Sequence, residues 1–198
     1  MRKLSLLDLL RRAEALASGQ RLILAGSQAL YSVSGFVPEL VERSEEADVL
    51  LSDAPRVLFA TLADELGMNS AYLRQTGTHL HPVGVGTITL PPGWAERLVP
   101  FGVEDGLKNV WALEIHDLAS SKLIAGRDKD YDFIVELLRR GLIELQTLLA
   151  RFVALRDTPY AGAIRDRLAH LAQHLDRARL HAEASAVRRI LASDPSHP

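Results

Sequence analysis

Leu6, Leu9, Leu10, Ala13 and then Leu16 or Ala17 recur at the three- and four-residue spacing that lines apolar side chains along one side of a helix. Ser5, with Asp8 three residues later, gives this helix a capping-box-like start, and Ser18-Gly19 gives it a stop. The pattern then changes. Arg21 to Ala25 is a short, nearly continuous apolar run with glycine on either side, which predicts a strand buried on both faces. Gly26-Ser27 ends that strand, Gln28 to Val33 reads as a short helix whose N-terminus faces the strand's end, and Gly35-Phe36-Val37-Pro38 breaks it. After an acidic and polar stretch, Ala47-Asp48-Val49-Leu50-Leu51 predicts a second strand, with a carboxylate out of place for a buried one. Asp53 as cap, Pro55 near the first turn, the stripe Val57, Leu58, Leu62 and Leu66, and Gly67 as stop predict the next helix. Strand, helix, strand and helix in this order point to α/β construction.

Between residues 71 and 115 the signals turn toward strands: Thr76 to His81, Gly86 to Leu90, a Pro91-Pro92-Gly93 turn, Arg97 to Val103 and Val110 to Ile115. From Asp117, read as an N-cap, the periodicity is helical again. Leu118, Ser121 and Lys122 fall on one helix and Phe133, Ile134, Leu137 and Leu138 on the next, which Gly141 ends; Leu145 to Leu155 and Ile164 to Leu191 follow. The pattern therefore predicts an α/β domain over 1–115 and a helical region over 116–198, with a frayed tail at 195–198. No internal repeat interrupts it.

Composition narrows the function classes. The chain has 198 residues, 47% hydrophobic and 24% charged, enough to bury a core and without the signature of disorder. Its formal charge of −2 excludes a whole-molecule basic field that would draw nucleic acid by bulk attraction. The absence of Cys removes disulfides, thiolate metal sites and cysteine nucleophiles, and suits a cytoplasmic setting. Uncharged runs fall short of the roughly 18–20 apolar residues of a membrane span. Leu4 to Leu10 after Met1-Arg2-Lys3 imitates a signal peptide, but Asp8 interrupts the run and Arg11-Arg12 follow it, so it reads as an amphipathic helix of a soluble protein.

Two segments carry chemistry. Side chains on a strand alternate, so Glu46 and Asp48 share one face. Two acids beside a Gly26-Ser27 turn offer ligands for a divalent metal next to backbone N–H groups suited to phosphate, the equipment of phosphoryl or nucleotidyl transfer. The second segment, His116 to Asp130, places Lys122 within an apolar helix and ends in Gly126-Arg127-Asp128-Lys129-Asp130. A Gly-Ser turn and a charged corner between helices are the plain structural alternatives. His79 and His81 alternate on a strand as a metal pair would, yet no third ligand is spaced nearby in sequence. Trp111 reads as a core aromatic and Trp94 as packing over its turn. Between Arg151 and Ala192 eight Arg stand against four acids, more simply the wet side of helices than a phosphate-tracking face.

Gly26-Ser27-Gln28-Ala29-Leu30, Glu46-Ala47-Asp48-Val49-Leu50, and Asp117-Leu118-Ala119-Ser120-Ser121-Lys122-Leu123 with Arg127-Asp128-Lys129-Asp130 resemble the minimal nucleotidyltransferases of the DNA polymerase β-like superfamily. Within that group the chain is similar to bacterial proteins related to the abortive-infection type IV (AbiEii-like) toxins, from about residue 21 to 142. The resemblance implies a mixed sheet with flanking helices and Mg²⁺ on Glu46 and Asp48. It further implies nucleotide phosphates on Gly26 and Ser27, and a site completed by Lys122, which meets the triphosphate charge, and Asp130. It implies transfer of a nucleoside monophosphate from a nucleoside triphosphate to an RNA or protein hydroxyl, in a toxin–antitoxin or phage-defence setting with an antitoxin or toxin partner. Where that family has Asp-x-Asp, this chain has Glu46-Ala47-Asp48, and the third carboxylate is not evident; Glu114 is one substitute and His81 a poorer one. A catalytically degenerate module that keeps the cleft and only binds is the rival reading.

Overall fold

The computed structural model describes residues 1–34 and 37–192. Gly35 and Phe36, the start of the expected break, and the expected frayed tail lie outside them. The chain divides into two compact units, residues 1–88 with 95–114 and residues 89–94 with 115–198.

In the first unit, α1 (Lys3–Ala17) turns Leu6, Leu9, Leu10 and Ala13 inward, each fully buried. It starts two residues before Ser5, with Arg2 at the cap position and no side-chain cap bond. β1 (Leu22–Leu24) is buried throughout, as its unbroken apolar run requires of a central strand. A 3₁₀ turn, Ser27–Ser32, follows, then α2 (Glu39–Glu42), β2 (Glu46–Leu51) and α3 (Arg56–Leu66), which buries Leu58, Leu62 and Leu66. Pro55 occupies the cap position of α3, while Asp53 accepts a hydrogen bond from Ser52 Oγ instead of capping.

The segment after α3 departs from expectation. Residues 71–76 form a helix, α4 (Ala71–Thr76), because Ser70 Oγ accepts from the Leu73 N–H at its start and Gly77, at φ 72°, closes it in the left-handed region. β3 (His79–Gly84) begins only after that turn, and a 3₁₀ turn, Val85–Thr87, stands where a strand was expected. Of the expected strand over 97–103 only β4 (Val99–Pro100) forms, and β5 (Val110–Ala112) completes the sheet. The five strands run β3-β2-β1-β5-β4. β2 pairs parallel to β3 and β1 parallel to β5, whereas the β1–β2 and β4–β5 pairings are antiparallel, so the sheet is mixed. Pro82 and Pro100 both sit on edge strands, where a missing N–H breaks no ladder. Trp111 is half-buried with the Arg21 guanidinium 5.2 Å over its ring, so it is not a core aromatic.

The second unit is helical: α5 (Ile115–Ala125), α6 (Asp128–Arg139), α7 (Leu145–Val153), α8 (Ala161–Arg177) and α9 (His181–Ala192). Phe133, Ile134, Leu137, Leu148, Phe152, Leu168, Leu171 and Leu175 make its core. The chain thus has a mixed α/β sheet with flanking helices and a C-terminal helical region. Among the described residues no helix is long and apolar enough to cross a membrane.

Candidate functional site

Alternating exposure along β2 decides where chemistry can occur. Ala47 is buried while Glu46 and Asp48 on either side are partly open, and from Val49 onward every residue is buried. The first half of the strand therefore has one open face, which carries the two carboxylates, and the second half is core on both sides. Pairing brings in the neighbours. The parallel register sets Glu46 opposite His79 and Asp48 opposite His81, so two imidazoles line up beside two carboxylates on one face. His81 Nδ1 lies 3.1 Å from Glu46 Oε1 and 3.1 Å from Asp48 Oδ1. Its side chain is 54% exposed, against 41% for Glu46 and 39% for Asp48, so the cluster is open to a ligand from solvent. His79 is more enclosed: Nε2 is 3.8 Å from Glu46 Oε1, and the buried Nδ1 has no hydrogen-bond partner among the described residues.

The glycine turn meets the same carboxylates through the antiparallel pairing. With Leu24 opposite Val49, the next residue reaches Asp48, and the Ala25 N–H donates to the Asp48 carbonyl at 3.0 Å. Gly26 then lies against the Asp48 side chain so closely that a Cβ there would sit 2.4 Å from Oδ2. A Cβ there would force the Asp48 side chain to move, although the φ of −92° is open to any residue. Ser27 opens the 3₁₀ turn and is partly exposed, and Gln28, fully buried, donates from Nε2 to the Val41 carbonyl at 2.9 Å.

One ligand atom each from Glu46, Asp48 and His81 all fall within 4.8 Å of one another. This donor set, two carboxylates and one imidazole, fits a divalent cation with open coordination positions. Glu114, one candidate for the third acidic position, is not in the cluster: it follows the end of β5, which is separated from β2 by β1. His81 takes that place. The sequence ranked it below Glu114 because Asp48 lies 33 residues upstream on an adjacent strand, a pairing that local periodicity does not report.

Lys122 and Asp130 meet within the helical unit. Asp130 is 1% exposed and held by Arg127 through Nε at 2.6 Å and Nη2 at 3.2 Å, with Lys122 Nζ at 3.5 Å. Lys122 also stands 4.9 Å over the Phe133 ring, so its stem is buried while its charge keeps two favourable neighbours. Gly126, at φ 65°, ends α5 against Arg167, whose Nε donates to the Ile124 carbonyl at 3.1 Å. Asp117 is not an N-cap. α5 already begins at Ile115, and Asp117 is fully buried with Arg151 Nη1 at 3.1 Å, an ion pair joining α5 to α7. His116 Nε2 accepts the Glu144 N–H at 2.9 Å at the start of α7, and burial pushes its pKa down, in keeping with a neutral acceptor.

A family model whose description reads nucleotidyltransferase of unknown function (DUF6036) matches residues 4–175. No curated protein and no solved structure matches the chain.

Proposed function

The chain belongs to this nucleotidyltransferase family, and from that premise we propose that it transfers a nucleoside monophosphate from a nucleoside triphosphate to an acceptor hydroxyl. Such a reaction joins the acceptor oxygen to the α-phosphorus and releases pyrophosphate. The observation that carries the reading is the meeting of Glu46 and Asp48 with His81 on one open strand face, against a glycine turn where a Cβ would displace the Asp48 side chain. Glu46 and Asp48 would hold Mg²⁺ or a related divalent ion, which when bound supplies charge neutralisation for phosphate oxygens and a lowered pKa for an attacking hydroxyl. The chain's own part is to orient. Gly26 lets the backbone approach the carboxylate, and the Gly26-Ser27 turn contributes N–H groups to phosphate. Lys122, which pairs with Asp130 in the helical unit, is the cation that the family resemblance assigns to triphosphate charge.

The acceptor is an RNA or protein hydroxyl, and the setting is toxin–antitoxin or phage defence with a cognate partner protein; this part rests on the family resemblance. The test is incubation with each α-labelled nucleoside triphosphate, a divalent cation, and bulk RNA or the protein itself. The expected result is covalent label on one acceptor, abolished by Asp48→Asn. Absence of both transfer and triphosphate binding would overturn the proposal. Triphosphate binding without transfer would favour a degenerate binding module, a reading favoured by Glu and His standing where the family resemblance has carboxylates of Asp.

A further inference from the structure

We infer that Glu46, Asp48 and His81 together hold one first-row transition-metal cation, Mn²⁺, in preference to Mg²⁺. This deepens the nucleotidyl-transfer reading and rests on it for the purpose of the ion; the binding itself is tested separately. Ligands in neighbouring positions of an octahedron, with bonds of about 2.1–2.2 Å, are separated by about 3.0–3.1 Å. The His81 nitrogen stands 3.1 Å from each carboxylate oxygen, and the three atoms lie within 4.8 Å of one another. Three protein ligands leave the remaining positions to water or phosphate oxygens.

Donor chemistry then selects the ion. Mg²⁺ prefers oxygen alone, whereas an imidazole nitrogen favours first-row transition ions, and carboxylates with water or phosphate suit Mn²⁺ among them. The charge agrees with one ion. Two carboxylates and a neutral imidazole balance a single divalent cation, while a protein that holds two needs further negative ligands. One observation outside the triad supports a built site. Gly26 leaves room at Asp48 that any Cβ would occupy.

The experiment uses the full chain stripped of metal with chelator and titrated with MnCl₂. Free Mn²⁺ is read by its solution EPR signal, MgCl₂ serves as competitor, and pulsed EPR reads directly bound nitrogen. The expected result is one Mn²⁺ per chain with coupling to one imidazole nitrogen, and competition only at Mg²⁺ at least about tenfold in excess. His81→Asp should remove the nitrogen coupling, retain a bound cation and lower the Mn²⁺-over-Mg²⁺ preference about tenfold or more. His79→Gln should leave the coupling in place. Absence of nitrogen coupling in the unmodified chain, an unchanged preference in His81→Asp, or loss of coupling in His79→Gln would each overturn the inference. Transfer supported equally by Mg²⁺ with no nitrogen coupling would sink the inference and leave the transferase reading standing. Coupling with neither triphosphate binding nor transfer would do the reverse.

Discussion

Replacing Gly26 by Ala exchanges one hydrogen for a methyl group, and the surroundings convert that addition into a specific displacement. The new Cβ would stand 2.4 Å from Asp48 Oδ2 and 3.1 Å from its Cβ and Cγ. Ordinary contact begins near 3.4–3.5 Å, so the carboxylate oxygen must retreat by about 1 Å. Backbone strain plays no part, since φ is −92°. The carboxylate moves as a rigid group, so Oδ1, the oxygen beside His81, is carried along with Oδ2, and a displacement of this order is several times the roughly 0.2 Å tolerance of a metal–ligand bond. Cation affinity should fall at least about tenfold. Overpacking should cost about 1–3 kcal/mol, which for a chain of this size lowers the melting temperature by about 2–12 °C. Titration with Mn²⁺ and thermal melts of Gly26→Ala, with Gly86→Ala as the control in open space, measure both effects. Cation affinity equal to that of the unmodified chain, in a protein that melts cooperatively, would refute the placement of this turn against the metal ligands.

Asp117→Ala strands Arg151 beside an emptied buried position and should destabilise by about 3–5 kcal/mol in urea titration, whereas Asp117→Leu with Arg151→Met should recover most of that loss. Lys122→Met keeps the stem over Phe133 and removes the charge, so triphosphate affinity by calorimetry should fall about tenfold; unchanged affinity would confine Lys122 to its pair with Asp130. His116 accepts a hydrogen bond from Glu144 as the neutral ring, and its pKa is depressed on folding. The unfolded chain therefore binds the proton first, so stability is fully present above the ordinary histidine value of about 6.5 and declines as pH falls through the folded value. His116→Gln, measured by urea titration from pH 8 to 5, should remove that increment.

How much could be read along the chain depends on the distance over which each decision is made. The fully buried central strand and the first helix follow from local apolar periodicity, and Leu22-Ile23-Leu24 could hardly be anything but an inner strand. The shared face of Glu46 and Asp48 follows from the two-residue alternation of any strand. Residues 71–76 misled because Thr and Tyr favour strands, while the decisive signals were Ser70 at one end and Gly77 at the other. Asp117 illustrates a different failure: an acid near a helix start reads as a cap, but Arg151 on another helix made it a buried ion-pair partner.

The sequence by itself determined the α/β class, the helical C-terminal region and the acidic pair, because these depend on neighbours a few residues away. Tertiary structure alone decided that His81 stands beside that pair, that Gly26 abuts Asp48, and that Glu114 does not join them. Those outcomes depend on which strands pair, in which direction and in what register, and hydrogen-bond ladders between distant segments fix them with no trace in the local pattern.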